Sequence, residues 1–511
     1  MRRIYRFLFS RYAISLFFIL FEIALFVPSF WLYEIPTVVI VLSFVVAMAS
    51  IISLINRNVN PEYKVTWLIV IVFLPYVGTA LYIIFSRRRI YRKEGKIFSE
   101  IVPRIANPED AISREEKIAE ITSSSPSAAT KFRAIINDDY LAEVSTATRV
   151  KYFPSGEELY SDMLTSLSGA KKFIFLEYFI IEPGEMWNGI YEILKEKAAL
   201  GVEVRVLYDD VGCMGRLPRG FDRMLAKDGI RAARFGKITP KATVAHNNRD
   251  HRKLMIIDGR VAYTGGVNIA DEYINKRVRF GHWKDGGVSV LGRAVAPMLT
   301  LFLTAWDITC GGVIEYKSYL DGVAAVEGDG GYYVPFAGGP MPIYKRPVPK
   351  RVFLNIINQA ERSVYITTPY LVIDFDLTEA LRSASMRGVD VRIITPGVAD
   401  KKTVKIMTKS SYRYLMDAGV RIYEYPGFIH EKLVMSDGAY AVFGTVNFDY
   451  RSLVHHYENA ILAYASSAVE DAEKEFLRCC KVSRAVDVSG ARLGPFEWLI
   501  KIFIRVFAPL L

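Results

Sequence analysis

Two stretches of sequence decide the fold: His251-Arg252-Lys253-Leu254-Met255-Ile256-Ile257-Asp258 and His430-Glu431-Lys432-Leu433-Val434-Met435-Ser436-Asp437. In both, Lys stands two residues and Asp seven residues after His, and matching offsets continue to Gly265 with Asn268 and to Gly444 with Asn447. One short motif of this kind often arises by chance. Two copies that agree at every offset predict an internal duplication.

The segments before the two motifs share one order of predicted elements. In the first copy these are a helix, a strand, a helix and a strand, over 157–168, 173–179, 188–200 and 202–208. In the second copy they occupy 351–360, 363–368, 378–387 and 389–394. Gly201 and Gly388 each end a helix directly before a β-branched strand, which is typical of an α/β protein. We expect two duplicated α/β halves, 149–330 and 331–490.

The spacing of the motif indicates phosphate chemistry. Side chains two apart on a strand face the same side, so an imidazole and an ammonium could contact one phosphate. Asn268 and Asn447 could each donate an amide hydrogen bond to a phosphate oxygen. Asp258 and Asp437 precede Gly in a typical hairpin pattern, so each is either a turn residue or a catalytic residue. The other four histidines, 246, 282, 455 and 456, are expected to be structural or superficial.

The apolar residues concentrate near the N-terminus. The segments 35–56 and 65–86 each run 22 residues without a charge, while 12–33 carries Glu22. At 1.5 Å per residue such a segment spans a hydrocarbon core of about 30 Å. We therefore predict a membrane region over 1–90 with two to three transmembrane helices, followed by a charged linker over 91–148. A secretory signal is the alternative for the first segment.

Charge and composition narrow the class of protein. The chain has 511 residues, a net charge of +11 and 51% hydrophobic residues, which excludes a disordered or low-complexity protein. Its four cysteines are too few for a disulfide scaffold and lack the spacing of a zinc site. The positive charge suits an anionic partner. We expect a cell-membrane protein, and the basic cluster over 87–93 favours a cytoplasmic position for the halves that follow it.

The C-terminal segment 491–511 has the pattern of an amphipathic helix. Phe496, Leu499, Ile500, Phe503 and Phe507 recur at helical spacing and form one apolar stripe. Such a helix either packs against the catalytic halves or lies in the membrane interface. We expect interface contact.

The chain resembles the phospholipase D superfamily, and within it the bacterial cardiolipin synthases. The residues that carry the resemblance are the paired motifs together with 248–253, 264–268, 447–452, 67–85 and 508–511. It departs from the family at Thr445, where Ser is usual, and at Lys284-Asp285-Gly286, where the family has Arg-Asp-x-His.

The resemblance implies that the two halves pack around one active site and that the mechanism is covalent. It assigns His251 as the nucleophile that forms a phosphohistidine and His430 as the acid and base, although the near-symmetry leaves the reverse open. It also implies stabilisation of the phosphate by Lys253 and Lys432, as well as by the two Asn residues. Asp258 and Asp437 belong to the catalytic motif, and Asp285 and Glu458 would orient the histidines. We expect neither a metal nor another cofactor.

The resemblance further implies cardiolipin synthesis, in which a phosphatidyl group passes between two phosphatidylglycerols and glycerol is released. Water or another alcohol, such as serine, is the alternative acceptor, which would make the enzyme a phospholipase D or a different phosphatidyltransferase. A non-catalytic membrane protein would not need two complete motifs. The expected partners are the membrane and anionic phospholipid rather than nucleic acid. The oligomeric state stays open.

Overall fold

The computed structural model describes residues 37–57, 59–85, 116, 118–123, 126–138, 142–237, 248–312, 315–340, 343–344 and 346–507. The chain divides into two compact units, one of residues 1–90 with 502–511 and one of residues 91–501. The first apolar segment, 12–33, the basic cluster 87–93 and most of the predicted linker lie outside the described residues.

The described part of residues 1–90 consists of three helices: α1 (Thr37–Ile55), α2 (Pro61–Phe73) and α3 (Val77–Phe85). Asn60 caps α2, because its side chain accepts a hydrogen bond of 2.8 Å from the backbone N–H of Glu62. A Cβ atom at Gly78 would lie 2.2 Å from the carbonyl oxygen of Val70, so only glycine permits α3 to approach α2 this closely.

Among the helices that the structure describes, none is both long and apolar enough to cross a membrane. The prediction of transmembrane helices is therefore not supported. The predicted span over 65–86 is interrupted at Leu74 and Pro75, which separate the 13 residues of α2 from the 9 residues of α3. Proline removes a backbone hydrogen bond and ends a helix at this point.

The first half of the larger unit is built on a seven-stranded sheet with the order β1-β8-β6-β5-β2-β3-β4. Its strands, with β7 outside the sheet, are β1 (Thr148–Phe153), β2 (Phe173–Tyr178), β3 (Glu203–Asp209), β4 (Arg231–Phe235), β5 (Lys253–Ile257), β6 (Val261–Gly265), β7 (His282–Lys284) and β8 (Gly287–Gly292). Its helices, with α4 preceding the sheet, are α4 (Pro126–Asp138), α5 (Gly156–Ser168), α6 (Glu185–Ala199), α7 (Phe221–Lys227), α8 (Val295–Cys310) and α9 (Tyr316–Leu320), and a 3₁₀ turn covers Asp271–Ile274.

The second half is built on an eight-stranded sheet with the order β19-β13-β12-β10-β15-β16-β18-β9. Its strands, with β11, β14 and β17 outside the sheet, are β9 (Tyr332–Gly338), β10 (Ser363–Thr367), β11 (Leu371–Val372), β12 (Asp390–Pro396), β13 (Arg421–Tyr425), β14 (Gly427–Ile429), β15 (Leu433–Ser436), β16 (Tyr440–Gly444), β17 (Phe448–Asp449), β18 (Glu458–Tyr464) and β19 (Arg484–Ala485). Its helices are α10 (Val348–Asn358), α11 (Phe375–Met386), α12 (Lys402–Met416), α13 (Tyr450–Val454) and α14 (Ser467–Val482).

The two sheets repeat one topology, which confirms the predicted α/β duplication. Strands β1, β8, β6, β5, β2, β3 and β4 correspond in order to β9, β18, β16, β15, β10, β12 and β13, and β19 extends the second sheet. In each half the motif strand pairs antiparallel with its hairpin partner and with the first strand of the parallel group. The motif therefore lies at the centre of each sheet.

The two halves share one hydrophobic core, which includes Phe175 and Phe302 from the first half and Phe353 and Ile461 from the second. Strands β6 and β8 pack against β16 and β18. A hydrogen bond of 2.9 Å from Asn459 Nδ2 to Thr264 Oγ1 joins the halves directly. This packing fixes the position of the two motif strands relative to each other.

The last helix, α15 (Pro495–Phe507), covers the segment in which the sequence predicts an amphipathic helix. Three of its apolar side chains, Phe496, Trp498 and Leu499, are 74%, 55% and 47% exposed. These side chains are accessible for the expected contact with the membrane interface, and that contact stays a prediction.

Candidate active site

His251 and His430 lie directly before the motif strands, and each is held by a backbone hydrogen bond to the opposite half. The N–H of His251 donates to the carbonyl of Tyr457 at 3.0 Å, and that of His430 donates to the carbonyl of Lys284 at 2.7 Å. Strands β5 and β15 begin only at Lys253 and Leu433. The His-x-Lys segments are thus at the ends of the strands rather than inside them.

Each imidazole contacts a carboxylate from the other half. Nδ1 of His251 lies 2.9 Å from Oε1 of Glu458, and Nδ1 of His430 lies 2.7 Å from Oδ2 of Asp285. The backbone bonds produce these contacts, because each acceptor carbonyl belongs to the residue directly before the acid. The predicted orienting role fits this geometry, and the pairing across the halves is what the sequence alone could not indicate.

The two lysines line the same site. Nζ of Lys253 donates to the carbonyl of His251 at 2.5 Å. Nζ of Lys432 donates to the carbonyl of His430 and lies 2.7 Å and 3.0 Å from the two ring nitrogens of that residue. The charges of both lysines act on both histidines. The two motifs therefore form one site.

Burial and mutual repulsion lower the pKa of the basic groups. The pKa of His251 falls well below its ordinary value because of burial and the nearby charges of Lys253 and Lys432. Burial and Lys432 lower the pKa of His430 to about 4, against the opposing effect of Asp285. The pKa values of Lys253 and Lys432 fall to about 7 and about 8, chiefly through burial. A negatively charged phosphate would relieve this repulsion.

Asp285 shows the complementary effect. Burial raises the pKa of its carboxyl group, but the hydrogen-bonded contact with His430 and the positive charge of Lys432 outweigh burial and lower the pKa overall. The carboxylate is completely buried and also accepts a hydrogen bond of 2.9 Å from the N–H of Gly286. An ionised, immobile carboxylate of this kind can hold an imidazole in one tautomer and orientation.

Glu458 is held by two hydroxyl groups that the sequence analysis did not select. Ser452 Oγ donates to Glu458 Oε1 at 2.5 Å, and Thr445 Oγ1 donates to Oε2. Thr445, the departure from the family pattern, thus keeps the hydroxyl that a serine would supply. Ser452 lies in the stretch 447–452 that resembles the family, and this resemblance could have indicated a role for it.

The two predicted phosphate-binding asparagines are buried but differ in their contacts. Asn268 accepts a hydrogen bond of 3.0 Å from the N–H of Ile180 and donates one of 2.7 Å to the hydroxyl of Tyr273. The Oδ1 atom of Asn447 has no hydrogen-bond partner among the described residues. Their contact with phosphate remains a prediction.

Asp258 and Asp437 hold the hairpin turns, so their assignment as catalytic residues is corrected. The carboxylate of Asp258 accepts hydrogen bonds from the backbone N–H groups of Lys171, Lys172 and Phe173 at 2.7–2.9 Å. Asp437 likewise binds the three N–H groups of residues 361–363. At about 3.3 Å per residue, the strand separates each Asp from its His by roughly 20 Å. Neither carboxylate can touch the reacting atoms.

The turns themselves form as predicted. Asp258 and Gly259 have φ values of 56° and 67°, and Asp437 and Gly438 have values of 59° and 62°. Positive φ at both central residues defines a type I′ turn, which Asp-Gly adopts readily.

His456 is buried, and its ring lies 5.4 Å from that of His251, a position that the sequence did not indicate. The ring of Phe179 covers His251 from 5.0 Å. His456 precedes Glu458 by two residues, and this spacing was the signal that could have placed it near the site. Of the other histidines, His282 is exposed and bonds Tyr425 at 3.0 Å, while residue 246 lies outside the described residues.

One group of side chains in the described part of the chain could hold a metal ion. It consists of His251, His456 and Glu458, whose ligand atoms lie within 4.8 Å of one another. Neither this group nor a metal was predicted from the sequence.

The chain matches two known family descriptions. Residues 163–278 and 353–480 match the cardiolipin synthase, phospholipase D-like domain, and residues 45–87 match the phospholipase D-nuclease N-terminal domain. The first description thus covers one motif in each half.

Relatives of similar length share much of the sequence. An uncharacterised protein of Streptococcus mutans is 38% identical over 470 residues, which is 91% of this chain and 100% of that protein. Cardiolipin synthases of Geobacillus kaustophilus and Alkalihalophilus pseudofirmus are each 32% identical, over 91% and 94% of this chain and 92% and 95% of their own.

A crystal structure of a phosphatidylserine synthase from Haemophilus influenzae shares the fold, with a TM-score of 0.55, 15% identity and coverage of 74% of this chain and 96% of that one. At this identity the likeness concerns the fold alone. The domain matches and the long relatives agree with the doubled motif and its shared site, and the chain belongs to the cardiolipin synthase family of phospholipase D-like phosphatidyltransferase enzymes.

Proposed function

We propose that this enzyme makes cardiolipin by transferring a phosphatidyl group from one phosphatidylglycerol to another, with release of glycerol. The observation that carries the proposal is the pair of imidazoles, each held by a carboxylate of the opposite half, in one site with two lysines. The arrangement supports a displacement in two steps, because one imidazole can attack while the other moves protons.

In the first step Nε2 of His251 attacks phosphorus. Glu458 accepts a hydrogen bond from the N–H at Nδ1, so the lone pair of the neutral ring is on Nε2. The bond from phosphorus to the glycerol oxygen breaks as the N–P bond forms, and His430 protonates the departing glycerol. The low pKa of His251 favours the neutral ring.

In the second step His430 takes the proton from a hydroxyl of the second phosphatidylglycerol. The resulting oxygen attacks phosphorus, the N–P bond breaks, and cardiolipin leaves with His251 restored. Each imidazole is paired with a carboxylate, His251 with Glu458 and His430 with Asp285, so this contact does not separate their roles. We assign His251 as the nucleophile and His430 as the acid and base by resemblance to the family.

The lysines would stabilise the transition state. Their ammonium groups balance the charge that develops on the phosphoryl oxygens, and charge stabilisation in a buried site is worth far more than in water. The phosphate brings the negative charge that raises the lowered pKa values of Lys253 and Lys432. The same negative charge would raise the pKa of His430, so substrate binding would favour the protonated His430 that the first step needs.

Contact with the membrane is part of the proposal, because the substrate is a membrane lipid. Apolar side chains are exposed on the N-terminal helices, among them Val38, Phe44 and Phe73 at 66%, 66% and 77%. Such side chains can enter the boundary between headgroups and acyl chains. We place the catalytic halves on the cytoplasmic face, following the basic residues over 87–93.

The test is product analysis. The purified enzyme is incubated with phosphatidylglycerol alone in mixed micelles, and lipids and glycerol are measured by mass spectrometry. We expect equal amounts of cardiolipin and glycerol. Phosphatidic acid as the main product would indicate water as the acceptor. Phosphatidylserine formed in preference to cardiolipin when serine is added would indicate a different phosphatidyltransferase.

A further inference from the structure

His456 is a buried histidine that the proposed mechanism does not use. It lies between α13 and β18 and is 8% exposed. Neither of its ring nitrogens has a hydrogen-bond partner among the described residues. A buried polar group without a partner has a free-energy cost, so its presence calls for a ligand or a function.

The surroundings of His456 supply two further metal-binding groups. Its Nδ1 atom lies 3.7 Å from Oε1 of Glu458, and that carboxylate lies 2.9 Å from Nδ1 of His251. Ligand atoms of the three residues lie within 4.8 Å of one another. Zinc bonds of about 2.1 Å place two ligand atoms at most roughly 4 Å apart, so small side-chain rotations would close the set around one ion.

We propose that His251, His456 and Glu458 form an inhibitory binding site for a divalent transition metal such as Zn²⁺. Two imidazole nitrogens and one carboxylate oxygen match the ligand preference of zinc and leave a fourth position open. All three residues are buried, which distinguishes the group from a superficial cluster of acids.

Inhibition follows from the nucleophile being a ligand. The ion occupies either Nε2 of His251, which would attack phosphorus, or Nδ1, which Glu458 must hold. Lys253 and Lys432 share the site and repel a dication, so we expect micromolar affinity and competition with phospholipid. Only this inhibitory consequence rests on the proposed function; the binding itself rests on the geometry.

The binding test uses full-length protein in detergent, freed of metal with EDTA. Co²⁺ is added in place of Zn²⁺, and we expect one equivalent to produce the visible absorption of a four-coordinate cobalt ion, which Zn²⁺ abolishes. His456→Asn should weaken binding about 10-fold or more. His455→Asn is the matched control, because the ring of His455 lies against Tyr450 instead, and it should bind as the wild type does.

His456→Cys tests the ligand role positively. It replaces one metal ligand with another and should add a thiolate-to-cobalt charge-transfer band in the near ultraviolet. The proposal is overturned if wild-type protein shows no cobalt absorption, if His456→Asn binds as tightly as the control, or if the Cys variant lacks the new band.

The inhibition test compares each protein with its own metal-free rate. We expect the Zn²⁺ concentration for half inhibition to rise about 10-fold or more in His456→Asn and not in His455→Asn. Equal sensitivity of the two variants would contradict an inhibitory site at His456. Cobalt binding is read without turnover, so a failure of the phosphohistidine mechanism would leave the binding result intact and the two failures distinguishable.

Discussion

A second imidazole and one aromatic ring surround His251, whereas three aromatic rings enclose His430 at 5.5–5.8 Å. The lysines differ too, since Lys432 reaches the ring of its histidine and Lys253 reaches only the backbone carbonyl of His251. Both halves otherwise share one topology, one turn and one pattern of backbone contact across the halves. The comparison teaches that a duplicated motif can hold unequal histidines when the residues that surround the two motifs differ.

Removing either lysine should have the largest effect on turnover. We expect Lys253→Met and Lys432→Met each to lower kcat roughly 10²- to 10³-fold, because each removes a charge that stabilises the transition state. Steady-state assays on mixed micelles measure this, with the exposed Lys171→Met as control. A loss of less than about 3-fold in either variant would show that the corresponding ammonium does not stabilise the phosphoryl oxygens.

Neutralising the orienting carboxylates should have the next largest effect. We expect Glu458→Gln and Asp285→Asn to lower kcat about 10- to 100-fold with a smaller change in KM. The reason is that the imidazoles lose their orientation while the contacts that bind the lipid are kept. Asp285→Asn should also lower the pKa of His430 further and displace the pH profile of kcat to lower pH. Unchanged profiles in both variants would contradict the positioning role.

The turn aspartates should affect stability and not chemistry. We expect Asp258→Asn and Asp437→Asn each to lower the free energy of unfolding by about 1–3 kcal/mol, because three backbone N–H groups at each turn lose a charged acceptor. Chemical unfolding measures this, and the exposed Asp321→Asn serves as control. Stable variants with a large loss of kcat would restore the catalytic interpretation.

The smallest expected effect concerns pH and stability. The pKa of Lys253 is about 7 in the folded protein and about 10.5 in the unfolded chain, so between these values only the unfolded chain keeps the proton. Stability from this group therefore rises with pH above about 7, by at most about 1.4 kcal/mol per pH unit.

The measurement is the difference in melting temperature between pH 7.5 and pH 9, compared in wild type and Lys253→Met. We expect the wild type to gain more stability than the variant over this interval. Equal gains in the two proteins would show that the pKa of Lys253 is not lowered by folding.

The sequence predicted features that repeat or depend on local geometry. Both Asp-Gly turns, the strands after Gly201 and Gly388 and the duplication follow from spacing and side-chain type alone. The pairing of His251 with Glu458 does not, because these residues are 207 positions apart and meet only after the halves pack. His456 was missed for the same reason.

The sequence-based errors have local physical causes. The apolar run over 65–86 satisfies a hydropathy criterion, but Leu74 and Pro75 divide it into two short helices. Asp258 and Asp437 share a motif with the histidines, yet the extended strand between them carries the carboxylates away from the site. Their place in the motif thus predicted a role for the two aspartates, but it did not distinguish a role in catalysis from a role in the turn.

Covalent trapping tests the central claim most directly. Phosphatidylglycerol labelled in its phosphate is mixed with wild type, His251→Ala and His430→Ala, the reaction is stopped in alkali, and protein-bound label is measured. We expect label on the wild type, none on His251→Ala, and slow accumulation on His430→Ala, which lacks the base that activates the second lipid. Label on His251→Ala together with none on His430→Ala would contradict the account and reverse the roles of the two histidines.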